Sequence, residues 1–293
     1  MKKFVINVAV IFLTTCGLNA QDIKFGIRGG LNVPSLMAGG NDTPLSEGYS
    51  SRLAPAWGIF TELQLNPVFS LRLGVEYSGM GGKKNGMQAM PTARLITELG
   101  SSFGMGGKTP EQQMALGGMM AWSEATPYFY ADIKNTAKFD YIMIPMLAQF
   151  GRDLGTSPWR VYVNAGPFVS FLLSGNRVSE GTSKMFADPS GTQTLWDVMP
   201  DETKMAVSAI FPQIESTMNE PVIYGTTKIT GELKSANFGV TGNVGIRYQH
   251  SRNFFFIEAG GNYGFIKVQQ NDAHGSNRIG AASVMLGYSF SFF

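Results

Sequence analysis

Asp272, His274 and Ser276 stand two residues apart and put an acid, an imidazole and a hydroxyl into one short stretch. Such a set could serve acyl transfer or peptide hydrolysis, the His moving the hydroxyl proton and the acid orienting the His. The other His, His250, falls in a different predicted connection, so the two cannot share a site. Three polar residues of one loop are ordinarily solvated. HExxH, GxSxG, P-loop and Cys-cluster patterns are absent. No catalytic residue, cofactor or metal is therefore expected. Met80, Met87, Met90, Met105, Met114, Met119 and Met120 offer thioethers that could bind Cu(I). Their irregular spacing fits adaptable apolar packing better. A third group is more regular: Lys24, Arg28, Glu62, Arg72, Glu76, Arg160, Arg247 and Glu258. Each lies on the polar side of an alternating segment.

Those segments are β-strands. In FSLRLGVEY, Phe69, Leu71, Leu73, Val75 and Tyr77 alternate with Ser70, Arg72, Gly74 and Glu76, which gives one apolar and one polar face. Alternation predicts eight strands, at 22–32, 56–66, 69–79, 138–151, 158–174, 236–249, 253–268 and 279–293. The fourth is nearly all apolar and the weakest. A membrane-spanning strand needs roughly 9–11 residues. Connections alternate long and short: 33–56, 80–136, 176–235 and 270–278 against NPV, RDLGTSP and HSRN. This is the pattern of an up-and-down antiparallel barrel with short periplasmic turns and long extracellular loops. Alternation also fits a soluble, lipocalin-like barrel. Three features favour an apolar face turned to lipid. The polar face is mostly Gly, Ser, Asn and Thr. Aromatics (Trp57, Tyr77, Trp159, Tyr248, Phe265, Phe292) sit near strand ends. The chain closes on LGYSFSFF.

The polar face would then line a lumen just wide enough for side chains to fill. Buried charges must be paired, so the eight charges are expected to form a network that plugs the barrel. A narrow ion or proton path is the alternative.

MKKFVINVAVIFLTTCGLNAQ has a Lys2-Lys3 n-region, an apolar stretch from Phe4 to Leu13 and a small-residue cleavage site at Leu18-Asn19-Ala20. Residues 1–20 therefore read as a secretory signal, leaving 21–293 as the barrel domain. A lipoprotein signal ending at Cys16 is the alternative, which Leu13-Thr14-Thr15 fit poorly. Without Lys2 and Lys3, Lys+Arg falls from 23 to 21 and equals Asp+Glu at 21. A neutral chain argues against nucleic-acid binding. Charged residues make up 15%, against about 25% in soluble domains. No segment reaches the roughly 18 apolar residues of a membrane helix. The expected location is the outer membrane, with a periplasmic N-terminus.

The large inserts carry helix signals: Pro91 to Leu99, Thr109-Pro110 running toward Trp122, and Pro200 to Ala209. Long loops on a rigid barrel commonly carry function. Met119, Met120, Trp122 and Trp196, if exposed, would suit a protein partner or a lid.

KFGIRGGLN, YIMIPMLAQF with Ile144-Pro145, YVNAGPFVSFLL with Gly166-Pro167, and LGYSFSFF occur in that order. Together they resemble the PorT-like family of eight-stranded outer-membrane barrels found in Bacteroidetes. The resemblance covers essentially all of 21–293 and implies the barrel fold and the outer-membrane location. One departure is that Phe292, not Phe293, is in phase with the lipid face. A non-enzymatic, plugged barrel is expected, acting through its loops as an interaction or assembly protein, as in a secretion accessory. A small pore or transporter is the competing expectation. Expected partners are outer-membrane lipid and lipopolysaccharide, the barrel-assembly machinery during insertion, and a protein held by the loops.

Overall fold

The structure, a computed structural model, describes residues 22–38, 44–45, 48–102, 109–219, 225–271 and 276–292. The signal segment, Cys16, Asp272, His274 and Phe293 lie outside the described residues. The strands are β1 Asp22–Ala38, β2 Ala54–Gln64, β3 Phe69–Pro91, β4 Tyr128–Asp153, β5 Trp159–Glu180, β6 Gly225–Lys228, β7 Ala236–His250, β8 Asn253–Gly264 and β9 Asn277–Ser291. Each pairs antiparallel with its neighbours. β1 pairs both β2 and β9, and β4 pairs β5, so eight strands close into a barrel. The short β6 lies against the outer part of β5 (Asn176↔Lys228) and is a ninth strand that alternation did not reveal. All its residues are exposed, so it has no apolar face to produce a period.

Exposure decides the orientation of the wall. Ile27 is 59% and Ile59 62% exposed, whereas Lys24 and Glu62 are each at 1%. Apolar side chains face out and charged ones in, the reverse of a soluble barrel. Rings cluster in two belts. Phe25–Phe292, Phe69–Phe150, Trp159–Tyr248 and Phe255–Tyr288 meet at the short-turn end, with centroids 4.8–5.4 Å apart. Trp57–Tyr77 and Phe238–Phe265 meet toward the other end, at 5.8 and 5.7 Å. Tyr248 and Phe238 mark the two belts on β7. Their spacing spans about 25 Å along the barrel axis, at ~3.3 Å per residue and a tilt near 40°, which matches an outer-membrane apolar band.

The expected strand ends at 79 and 138 need correction. β3 and β4 stay paired out to Pro91↔Tyr128, so both ends of the 80–136 insert continue the barrel wall as a projecting hairpin. β5 likewise runs on to Glu180, beyond 174, and β1 to Ala38, beyond 32. Beyond the bilayer a paired strand has no lipid face to present, so its hydrophobic period fades while its backbone hydrogen bonds persist. The hairpin and the 176–235 insert together carry a helical cap: α1 Thr92–Ser102 and α2 Pro110–Ala125 from the first, α3 Asp201–Ile210 and α4 Ile214–Asn219 from the second. Thr109 caps α2 in a reciprocal box with Gln112. The cap has its own core, including Leu95, Met119, Trp122, Leu195, Val207 and Met218. A second apolar cluster fills the barrel mouth. There Ile229 and Leu233, from the segment after β6, and Val268 pack against inward-facing Leu36, Met80, Phe139 and Tyr141.

Candidate functional site

Six of the eight alternation-selected charges meet inside the barrel. Inward positions of five strands supply them: Arg28 from β1, Glu62 from β2, Arg72 and Glu76 from β3, Arg247 from β7 and Glu258 from β8. They form one alternating chain. Arg28 reaches Glu76 at 2.5 Å and Glu258 at 2.7 Å. Arg72 reaches Glu258 at 2.5 Å and Glu62 at 3.1 Å. Arg247 closes on Glu62 at 3.0 Å. No side chain of the chain exceeds 5% exposure. Three guanidiniums balance three carboxylates. Desolvating any one of these ions alone would cost several kcal/mol, so the set persists only because every charge has an opposite within hydrogen-bond reach.

Uncharged residues complete the arrangement. Tyr162 Oη donates to Glu258 at 2.8 Å and Asn164 Nδ2 donates at 3.1 Å. Asn243 in turn donates to Asn164 at 2.8 Å. The Arg72 guanidinium lies 4.4 Å from the Phe60 ring centre, 5.4 Å from Phe256 and 5.8 Å from Tyr162. These rings fit because each stands opposite an inward glycine: Phe60 across from Gly26, Phe256 from Gly287 and Tyr162 from Gly245. No motif in the sequence points to these three aromatics. Their phase marks them, since Phe60 is two residues from Glu62, Tyr162 two from Arg160, and Phe256 two from Glu258.

Lys24 and Arg160 are held apart from the chain. Lys24 bonds Asp22 at 2.8 Å and Gln64 at 2.6 Å. Arg160 bonds Asp153 at 3.0 Å and the Pro67 and Gly151 carbonyls at 2.6 and 3.1 Å. Both tie strand ends together at the short-turn end.

The expected loop residues separate into two groups. Met119 and Trp122 are buried, at 1% and 4% exposure, in the cap core. The expectation that they are exposed for a partner is overturned: α2 turns that face against α3 and its flanking loops. Met120 is exposed at 58%. Trp196 is partly buried against the cap core, with the Lys204 ammonium over its ring. Of the acid–His–hydroxyl set only Ser276 is described, and it is buried. His250 is exposed at the end of β7. Among the described residues no group of His, Cys, Asp and Glu has metal-binding geometry. The lumen chain offers paired charges, with no His and no acid left without a cation.

Comparison with solved structures returned outer-membrane barrels of low sequence identity. The N-terminal β-barrel domain of Pseudomonas aeruginosa OprF is 9% identical, with 93% of this chain and 98% of that one covered and a TM-score of 0.35. Neisserial surface protein A is 13% identical, with 92% and 97% covered and a TM-score of 0.33. The E. coli outer membrane protein W is 16% identical, with 92% and 97% covered and a TM-score of 0.35. No curated protein matches the chain. The family model described as "Outer membrane protein beta-barrel domain" matches residues 19–270, most of the chain, and the chain accordingly belongs to that family of outer-membrane β-barrels.

Proposed function

We propose that this barrel is a closed, non-enzymatic scaffold in the outer membrane that presents its capped end to another protein at the cell surface or within an envelope complex. A secretion-accessory role of the PorT-like kind is one form of this reading. The observation that carries it is the filling of the lumen. A neutral six-charge chain occupies the middle, and an apolar cluster of Leu36, Met80, Phe139, Ile229 and Leu233 occupies the mouth above it. An ion entering would have to break a balanced buried pair, at a cost of about 3–5 kcal/mol. The chain meanwhile invests two inserts in a cap with its own core. Short turns at one end and long inserts at the other favour periplasmic turns and a surface-exposed cap. Lipopolysaccharide would surround the wall, and the barrel-assembly machinery would insert it.

Planar-bilayer recording on the purified barrel is the test. A plugged scaffold gives no reproducible conductance steps. Stepwise, ion-selective currents would reverse the reading in favour of a small pore. Co-purification of a tagged chain from native membranes in mild detergent, with and without residues 92–127, then places any partner on or off the cap.

A further inference from the structure

Between the apolar plug at the mouth and the helical cap lies a polar cavity of about 190 Å³. Its walls include Lys84 on β3, Arg94 and Glu98 on α1, Arg177 on β5, and Glu232 in the segment over the mouth. The three cations exceed the two carboxylates by one. Arg94 engages both carboxylates, with Nε 2.8 Å from Glu98 and Nη1 3.2 Å from Glu232. The Lys84 ammonium donates to the Pro44 carbonyl at 2.9 Å. The Arg177 guanidinium, also partly buried, forms no hydrogen bond and no ion pair within 4 Å among the described residues, although its backbone is paired in the sheet.

The placement of Arg177 is specific. Strict alternation from Trp159 would turn residue 177 outward. A bulge intervenes: Tyr141 pairs with Leu172 and Asp140 with Ser174, leaving Leu173 without a cross-strand partner. The one-residue slip brings Gly175, Arg177 and Ser179 onto the inner face. Ser179 Oγ donates to Asn135 at 2.5 Å, and Asn135 Nδ2 donates to Gln88 at 2.9 Å. The wall beside Arg177 is thus held by hydrogen bonds across three strands. Burial, and after it the adjacent Arg94 guanidinium, pulls the Arg177 pKa below the ordinary arginine value against the weaker opposing pull of Glu232, Tyr49 and Glu98. An anion in the cavity would relieve both effects.

We propose that this vestibule binds one anionic group, a carboxylate or a phosphate carried on a small polar molecule or glycan, with Arg177 as its principal cation. The guanidinium fork matches either group in a bidentate pair. The volume equals roughly six water molecules, room for the anionic end of a ligand rather than a drug-sized molecule. Arg177 lies eight residues beyond Val169, the partner of Phe238 in the outer aromatic belt, and so roughly 20 Å above that belt, where a free solute and the anionic sugars of surrounding lipopolysaccharide could both supply the group.

The test is isothermal titration of the full barrel in phosphatidylcholine nanodiscs with inorganic phosphate and with glucuronate. At least one should bind saturably below roughly 10 mM. Arg177→Gln should weaken that binding by about ten- to a hundredfold, the loss of one charge-assisted pair. Glu98→Gln, which removes a cavity carboxylate, should tighten it and keeps the test valid if Arg177→Gln misfolds. Arg152→Gln, an exposed change near the other end of the barrel, should leave it unchanged. Nanodiscs containing lipopolysaccharide distinguish the sources: competition with the free anion assigns the group to the lipid's sugars, and unchanged affinity assigns it to a solute. Absence of saturable binding by both probes, or binding indifferent to both cavity substitutions, overturns the proposal.

Discussion

Glu258→Gln tests the lumen chain at its centre. Glu258 accepts from Arg28 at 2.7 Å, Arg72 at 2.5 Å, Tyr162 at 2.8 Å and Asn164 at 3.1 Å. Gln keeps the shape, removes the charge and turns an amide N–H₂ toward an arginine. Three buried guanidiniums then face two carboxylates, each of which is already engaged. Removing one partner of a buried pair costs about 3–5 kcal/mol, against about 0–1 for a surface pair. The barrel should therefore lose about 3–5 kcal/mol in urea titrations in phospholipid vesicles, followed by Trp fluorescence and by the mobility shift of folded barrels in unheated gels. Adding Arg72→Gln restores the balance, leaving Arg28 with Glu76 and Arg247 with Glu62. The double variant should recover at least about 1 kcal/mol relative to the sum of the single losses. Strict additivity, or a loss below about 1 kcal/mol for Glu258→Gln alone, would refute the claim that these charges act as one buried unit.

Three further outcomes follow from the same structure. Gly287→Ala puts a methyl within 2.7 Å of three Phe256 ring carbons, where the ring is already fixed beside Arg72; the same titration should register a loss of about 1–3 kcal/mol. Trp122→Ala removes a buried indole from the cap core and should cost that core about 3–5 kcal/mol; limited proteolysis should then cut within 92–127 or 181–219 while the gel shift of the barrel persists. Asp188 accepts from Ser190 Oγ and from the Gln193 and Thr192 amides, which hold its carboxyl well below the usual carboxylate range. Its contribution to the 186–194 turn is present above the unfolded-state value near 4 and is lost only as pH falls through the lower folded value. Pepsin at about pH 3 should accordingly spare this turn in the native chain and cut it in Asp188→Asn.

What the sequence determined by itself is the wall. A period of two leaves each strand only two faces, and the long-and-short spacing of connections leaves one antiparallel order. That sufficed to place eight strands, to put Arg28, Glu62, Arg72, Glu76, Arg247 and Glu258 on one face, and to separate them from Phe25, Ile27, Ile59 and Val244 on the other. Helix signals were local as well, which is why the Thr109-Pro110 start was legible. Only the tertiary structure decided which charges meet. Lys24 has the same period as Arg28 and stands directly across from Glu62, yet binds Asp22 and Gln64, because both oxygens of Glu62 are already taken by Arg72 and Arg247. It also decided that β3 and β4 project as a hairpin, that Met119 and Trp122 turn inward, and that one extra residue at Leu173 aims Arg177 into the vestibule. Each of these rests on partners distant in sequence, and a hydrophobic period carries no information about a partner.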